Sequence, residues 1–284
     1  MRLIKKVAVL AAVGALVLTG CSSSGGGPEV NTDVEFEAGT TMEKLNSAGK
    51  ITVGTKFDQP LFGLMGPSGK PEGFDVEIAK IIAADLGLTE DQIEWKEAVS
   101  ANREPFIENG EVDIVVATYT MSDKRKEVIS FAGPYYIAGQ DLLVLAGNPD
   151  GITGIDDVKG MKVCSATGST SADNLRDAGV EVLETDQYSN CLEPLRSGEV
   201  VAVSTDNVIL AGLAAQNEGE FEVVENPFTQ EDYGIGLTKD DADFRNFLND
   251  ALEKAFEDGT WQAAWENTAG VALSTPEPPT IDRY

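Results

Sequence analysis

The 284-residue chain contains no histidine. That absence removes Ser-His-Asp and Cys-His catalysis, and every histidine-ligated zinc or haem site. Three cysteines are too few for a disulfide scaffold or a four-cysteine zinc site. Basic residues are scarce, 21 against 48 acidic ones, and the formal charge is −27. Loose binding to nucleic acid or anionic lipid is therefore disfavoured, because those surfaces repel such a chain. Beyond the first twenty residues no apolar run is long enough to span a bilayer. What remains is a globular composition, 42% hydrophobic and 24% charged, sufficient for a sizeable core. The length suits one large domain or two ordinary ones.

Residues 1–20 carry Arg2, Lys5 and Lys6, then an apolar run from Val7 to Leu18. This pattern is a secretory signal, too short for a spanning helix. It closes with Leu18-Thr19-Gly20-Cys21, which resembles a bacterial lipobox. The resemblance makes Cys21 the lipid-modified first residue of the exported chain; the alternative is an ordinary secretory peptide. Removal of residues 1–20 leaves 18 basic residues against 48 acidic ones. The Ser/Gly/Pro-rich stretch over 21–41 is expected to be a flexible tether. The protein is thus expected on the extracellular face of the cytoplasmic membrane, held by lipid. Export also permits a Cys164–Cys191 disulfide, with two buried thiols as the alternative.

Strands are expected at Lys50–Thr55, Ile93–Trp95, Val112–Ala117, Leu142–Leu145, Lys162–Cys164 and Val200–Val203. Phe74, Ile78, Ile81, Ile82 and Leu86 recur at helical spacing, as do Phe244, Phe247, Leu248, Leu252, Ala255 and Phe256. Trp261 and Trp265 continue the second pattern. Alternating strands and helices define an α/β chain with mainly parallel sheets, in two units. Gly66–Pro71 superficially resembles a phosphate loop, but it lacks the required glycine spacing and has Pro71 where Ser or Thr is needed.

One segment concentrates binding chemistry. The buried strand ending at Ala117 runs into Thr118-Tyr119-Thr120, and Ser122 or Thr120 then caps a short helix carrying Arg125. In open α/β sheets, ligands sit at the carboxyl ends of strands. A guanidinium beside two hydroxyls there can grip a carboxylate by paired hydrogen bonds. The alternative is that Lys124-Arg125-Lys126 is a solvated basic patch.

Thr120, Arg125 and the block Phe131-Ala132-Gly133-Pro134-Tyr135 resemble the ligand-binding motif of the bacterial family 3 extracellular solute-binding proteins, which feed amino acids to ABC importers. Ala132 departs from the usual Ser of that block. Gly73-Phe74-Asp75-Val76, Asn109-Gly110-Glu111-Val112-Asp113 and Asp206–Ala211 are similar to further family blocks. The resemblance, over roughly residues 45–270, implies a type II periplasmic-binding-protein-like fold with two doubly wound lobes and two crossover strands. The lobes would comprise 42–138 with 237–272, and 139–236, followed by a tail over 273–284. The crossings would fall near Gly139–Leu143 and Tyr233–Leu237. It also implies that Arg125, helped by Thr118 and Thr120, holds a ligand α-carboxylate. Asp206 pairs with the α-ammonium, and the helix opened by Gly168-Ser169-Thr170-Ser171 presents its amides to the carboxylate. For Asp206 the alternative is a plain loop or cap residue.

Ser100-Ala101-Asn102-Arg103 resembles a block of the acidic-amino-acid branch, where the arginine meets a distal carboxylate, and Lys56 stands at a position often basic there. Tyr188 and Ser100 are further candidates for lining the cleft. The alternative for Arg103 is an exposed helix-start residue. Lys56–Pro60 and Cys164–Ser169 resemble stretches of actinobacterial glutamate-binding lipoproteins. The implied ligand is L-glutamate, then aspartate, with glutamine open. The implied partners are this ligand and a membrane permease of an ABC importer, with the membrane reached through Cys21. No metal, cofactor or nucleic acid is expected, and a monomer is. A dehydratase-like enzyme on the same fold is the reading from another class, with Asp206 or Glu231 as proton donor.

Overall fold

The computed structural model describes residues 27–284; the expected signal peptide and Cys21 lie outside that span. The first lobe opens with α1 (Thr41–Ala48), β1 (Ile51–Thr55) and a small sheet of β2 (Asp58–Gln59), β3 (Gly63–Met65) and β4 (Pro71–Glu72). It continues through α2 (Phe74–Asp85), β5 (Ile93–Glu97), α3 (Arg103–Glu108), β6 (Ile114–Val115), α4 (Asp123–Lys126) and β7 (Ser130–Ala138). The second lobe contains β8 (Gln140–Leu145), β9 (Lys162–Ala166), α5 (Thr170–Asp177), β10 (Glu181–Thr185), α6 (Leu192–Ser197), β11 (Ala202–Asp206), α7 (Asn207–Gln216) and β12 (Phe221–Val223). The chain returns to the first lobe as β13 (Glu231–Leu237), α8 (Ala242–Asp258) and α9 (Thr260–Glu266).

The periodicities act as expected. Phe74, Ile78, Ile81 and Ile82 of α2 are buried, and so are Phe244, Leu248, Leu252 and Ala255 of α8. The first sheet has the order β5-β1-β6-β13-β7 and the second β10-β9-β11-β8-β12. Each keeps three parallel strands, but β13 and β7, and β8 and β12, pair antiparallel. The sheets are therefore mixed, because β8 and β13 are each entered by crossing from the other lobe rather than through a helix.

The crossings differ from the expected ones. Gly139 alone separates β7 from β8, so Gln140–Leu145 already belongs to the second sheet. All of β13 lies in the first sheet, which moves the return crossing from Tyr233–Leu237 to residues 224–230. The second lobe thus ends before Glu231. The two crossings run side by side: Phe228 N donates to Gln140 O, and Gln140 N to Thr229 Oγ1.

The expected flexible tether is packed over part of its length. Asn31 N donates to Ala84 O of α2, Phe36 meets Phe247 edge-on at 5.7 Å, and Thr40 caps α1. The tail over 273–284 is also docked: Asp282 N donates to Gly133 O, and Tyr284 Oη accepts from Phe131 N. These bonds cover the outer edge of β7, which no strand among the described residues pairs.

Cys164 of β9 and Cys191, just before α6, form a disulfide, both fully buried. The bridge spans 27 residues of chain. In the chain-entropy account a loop of that size contributes about 3–4 kcal/mol. The double variant C164A/C191A should lose about that much in a denaturant titration. A loss well below about 1 kcal/mol would mean that packing alone holds the turn.

Candidate functional site

The carboxyl ends of β1, β6, β9 and β11 face one another across the two lobes, and a small polar cavity lies between them. Its walls include Ser100, Arg103, Thr118, Thr120, Ser169, Thr170, Ser171, Tyr188, Asp206 and Ile209. Eight of the ten candidate ligand residues are therefore brought together. Lys56 and Arg125 adjoin this group without lining the cavity. Larger clefts run along residues 27–33 and contain none of the candidates.

Thr118 is held in place by its backbone. Its φ is 45°, and its N–H donates to Asp75 Oδ2 at 2.8 Å. Asp75 is fully buried in the first turn of α2 and also accepts from Tyr135 Oη at 2.6 Å. Burial raises its carboxyl to about 7. Thr118 Oγ1 lies 2.9 Å from Gln59 Oε1 and 2.8 Å from Ala117 O, two acceptors for its one proton. Thr120 Oγ1 donates to Glu231 Oε2 at 2.8 Å. Both hydroxyls thus direct their protons into the protein rather than toward the cavity.

Ser122 caps α4, accepting from Arg125 N. Arg125 is buried, so the solvated-patch alternative fails. Its Nε pairs with Glu104 at 2.9 Å, Nη1 donates to Thr120 O, and Nη2 crosses the cleft to Gly168 O at 3.2 Å. One N–H remains on each terminal nitrogen.

Arg103 is 3% exposed rather than an exposed helix-start residue. Its Nε donates to Ser100 O, and Nη1 to Ala117 O and Thr118 O. Its guanidinium carbon lies 4.2 Å from the Tyr119 ring centroid, and that of Arg125 lies 4.9 Å from the same ring. Among the described residues no carboxylate lies within ion-pair distance of Arg103. Lys56, equally buried, donates only to Ser100 Oγ at 2.8 Å. Burial, then Arg103, lowers its ammonium to about 7. Two adjacent buried cations without an ion-pair partner are costly until an anion joins them.

In the second lobe, Asp206 stands at the N-cap of α7 but makes no cap bond. Its Oδ2 instead accepts from Tyr233 Oη of the first lobe at 2.6 Å, while Oδ1 is buried without a partner among the described residues. The plain-cap alternative is therefore wrong. Burial, then nearby Glu231, raises this carboxyl to about 7. Ser169 caps α5, donating to Ala166 O and accepting from Ala172 N. The first amides of α5, at Thr170 and Ser171, have no intrahelical acceptor.

The lobes are in close contact. A Cβ on Gly168 would sit 2.7 Å from Ala101 Cα, and one on Gly212 would sit 2.4 Å from Pro60 O. Ser189 N and Oγ both donate to Asp58 Oδ2. Tyr233 belongs to an aromatic cluster with Phe62, Tyr135 and Tyr136 that supports its reach to Asp206. Sequence reading missed Asp75, Glu104, Gln59 and Tyr233 as supports. Asp75 left one signal, an acid inside the apolar run Phe74–Val76; Glu104 left none beyond adjoining Arg103.

Two α/β lobes, two side-by-side crossings and a buried cavity of mixed charge define a protein suited to hold a small polar ligand between its lobes. Residues 51–267 match the model of the bacterial extracellular solute-binding proteins, family 3, and the chain belongs to that family. It is 42% identical to the glutamate-binding protein GluB of Corynebacterium efficiens, over 89% of this chain and 85% of that one. It is 36% identical to the ABC transporter glutamine-binding protein GlnH of Bacillus subtilis, over 94% and 97%. The crystal structure of the solute receptors for L-cysteine of Neisseria gonorrhoeae superposes with a TM-score of 0.77 at 31% identity, covering 83% of this chain and 96% of that one.

Proposed function

We propose that the protein captures an acidic L-amino acid, glutamate first, and delivers it to the permease of an ABC importer. The observation that carries the ligand class is Arg103, buried at the cavity wall without a carboxylate partner and flanked by buried Lys56. A neutral side chain would leave both cations uncompensated; a second carboxylate completes them. Asp206 Oδ1 receives the α-ammonium. The free N–H groups of Arg125 and the first amides of α5 receive the α-carboxylate. Ser100 and Tyr188 shape the side-chain pocket, and Lys56 supplies charge through Ser100. The similarity to glutamate-binding GluB supports this reading, and that to glutamine-binding GlnH marks the nearest alternative.

The ligand favours closure because its groups contact both lobes only when the lobes meet. The closed form docks on the permease, and nothing in this cycle needs a covalent step, so we propose a carrier rather than a dehydratase. Among the described residues no helix is long and apolar enough to cross a membrane. Lipid on Cys21 is the proposed anchor, and one copy of the chain the working unit.

Titration with L-glutamate and L-glutamine at pH 6, 7 and 8 tests the assignment. Below about pH 7 Asp206 takes up a proton, which weakens its hold on any ammonium. Over the same range Lys56 gains a proton and Asp75 loses its negative charge, which favours a distal carboxylate. Glutamine affinity should fall on acidification, glutamate affinity should fall less, and the preference for glutamate should widen. Parallel profiles, or tighter binding of glutamine throughout, would remove Lys56 and Arg103 from the ligand's side chain.

A further inference from the structure

Glu231 is a buried acidic residue that the capture mechanism leaves without a role. It opens β13 where the chain re-enters the first lobe, and it is 3% exposed. Four groups surround its carboxylate, and none is a cation. Oε2 accepts from Thr120 Oγ1 of the first lobe at 2.8 Å and from Thr170 Oγ1 of the second at 3.0 Å. Oε1 accepts from Thr229 Oγ1 of the crossing segment at 2.8 Å and from Asn174 Nδ2 of α5 at 3.3 Å. One side chain thus joins both lobes and a crossing. Thr120 and Thr170 both line the cavity, with Glu231 behind them.

A threonine hydroxyl has one proton and two lone pairs, and a carboxylate only accepts. With their protons directed at Glu231, Thr120 and Thr170 have only lone pairs to present to the cavity. Such a hydroxyl can receive a hydrogen bond from an ammonium but cannot donate one to a carboxylate. The geometry points to Glu231 as a positioning residue that orients the Thr120 and Thr170 hydroxyls as acceptors, so that the ligand's ammonium is held by both lobes together with Asp206. The two hydroxyls then serve selection of amino acids over des-amino acids. Carboxylate binding falls to the guanidinium and amide N–H groups.

Glutamine at position 231 cannot reproduce this. If its amide nitrogen faces the two threonines, it donates to their oxygens and turns their protons into the cavity. If its oxygen faces them, its nitrogen opposes the Asn174 amide. The amide–amide clash with Asn174 disfavours the second orientation, so the first, which removes the acceptor set, is the one expected, with volume preserved.

The inference rests on the amino-acid-capture reading, and the test separates the two. The purified protein, freed of carried-over ligand, is titrated with L-glutamate and with glutarate, which keeps both carboxylates and lacks the ammonium. Absence of glutamate binding by the unaltered protein would overturn the capture reading itself. Given binding, E231Q should lower the preference for glutamate over glutarate by at least about tenfold, the scale of a lost hydrogen bond to a charged group. Thr120→Val, which removes one acceptor and leaves Glu231, should lower the same preference. A merely structural role for Glu231 would weaken both ligands equally. Equal weakening in E231Q, or an unchanged preference in both variants, would overturn the assignment.

Discussion

Replacing Arg103 with methionine should weaken L-glutamate binding by about 100- to 1,000-fold while changing L-glutamine binding less than about tenfold. Methionine keeps much of the length and apolar bulk but removes the charge and every donor. The lost partner is buried and has no carboxylate of its own, so a glutamate side chain would enter the cavity with its charge unpaired. About 3–5 kcal/mol is the usual cost of breaking a buried pair in this way, and the lower half of that cost, about 3–4 kcal/mol, corresponds to the stated range. The substitution also leaves the carbonyls of Ser100, Ala117 and Thr118 without their guanidinium donors. That part of the damage falls on stability and on both ligands together. The ratio of the two dissociation constants therefore isolates the role of Arg103 at the distal carboxylate. Lysine at 103 should restore only part of the ratio, because a point charge cannot serve three carbonyls and the Tyr119 ring at once.

Asp206→Asn should have an effect of similar size and opposite selectivity. Affinity for glutamate and glutamine should fall together by about 100-fold or more, the scale of removing one partner from a buried, hydrogen-bonded charge pair. The ratio between them should stay nearly constant, because both ligands carry the same ammonium. The ligand-free protein should respond the other way. The Asp206 carboxyl is raised from 3.8 to about 7, so the folded state holds a proton that the unfolded chain releases. This group's contribution to stability is complete below about pH 4 and is lost as pH rises toward about 7. Asparagine removes that loss while retaining an acceptor for Tyr233, so at pH 7.5 the empty variant should melt above the parent. A variant that binds worse and melts higher is the expected mark of a group strained for binding. A lower melting temperature with unchanged binding would return Asp206 to a structural role.

These two residues also show how much was legible beforehand. The strand and helix positions followed from periodicity, and the class of fold from their alternation. Thr118, Thr120 and Arg125 were found because the strand ending at Ala117 runs into them, and Arg103 and Asp206 because the stretches that carry them resemble blocks of the family. The supports were harder to see, since their partners are distant in sequence. Asp75 meets Thr118 across 43 residues, and Glu231 meets Thr120 across 111. No spacing rule links such pairs. The return crossing was misplaced because Tyr233–Leu237 has the pattern of a buried strand whichever sheet it joins, and only pairing with β6 and β7 decides it. Thr118 and Thr120 were read as helping Arg125 hold a carboxylate because the sequence does not reveal the acceptors behind their hydroxyls.

The docked segments at both ends bear on how the lobes move. Asn31 and Phe36 at one end, and Asp282 and Tyr284 at the other, all pack on the first lobe. The second lobe is joined to it by the Gly139 and 224–230 crossings and by contacts across the cleft. In the proposed closure, the second lobe would move against a first lobe braced by both of these segments.

The central claim is that a buried cation pair at the cleft selects a second carboxylate. Calorimetric titration of the unlipidated exported chain, residues 22–284, with L-glutamate tests it most directly once carried-over ligand has been removed. The account predicts a tight one-to-one isotherm that is much weaker with L-glutamine and lost in Arg125→Ala. No heat with glutamate, or equal affinity for glutamine, would contradict it.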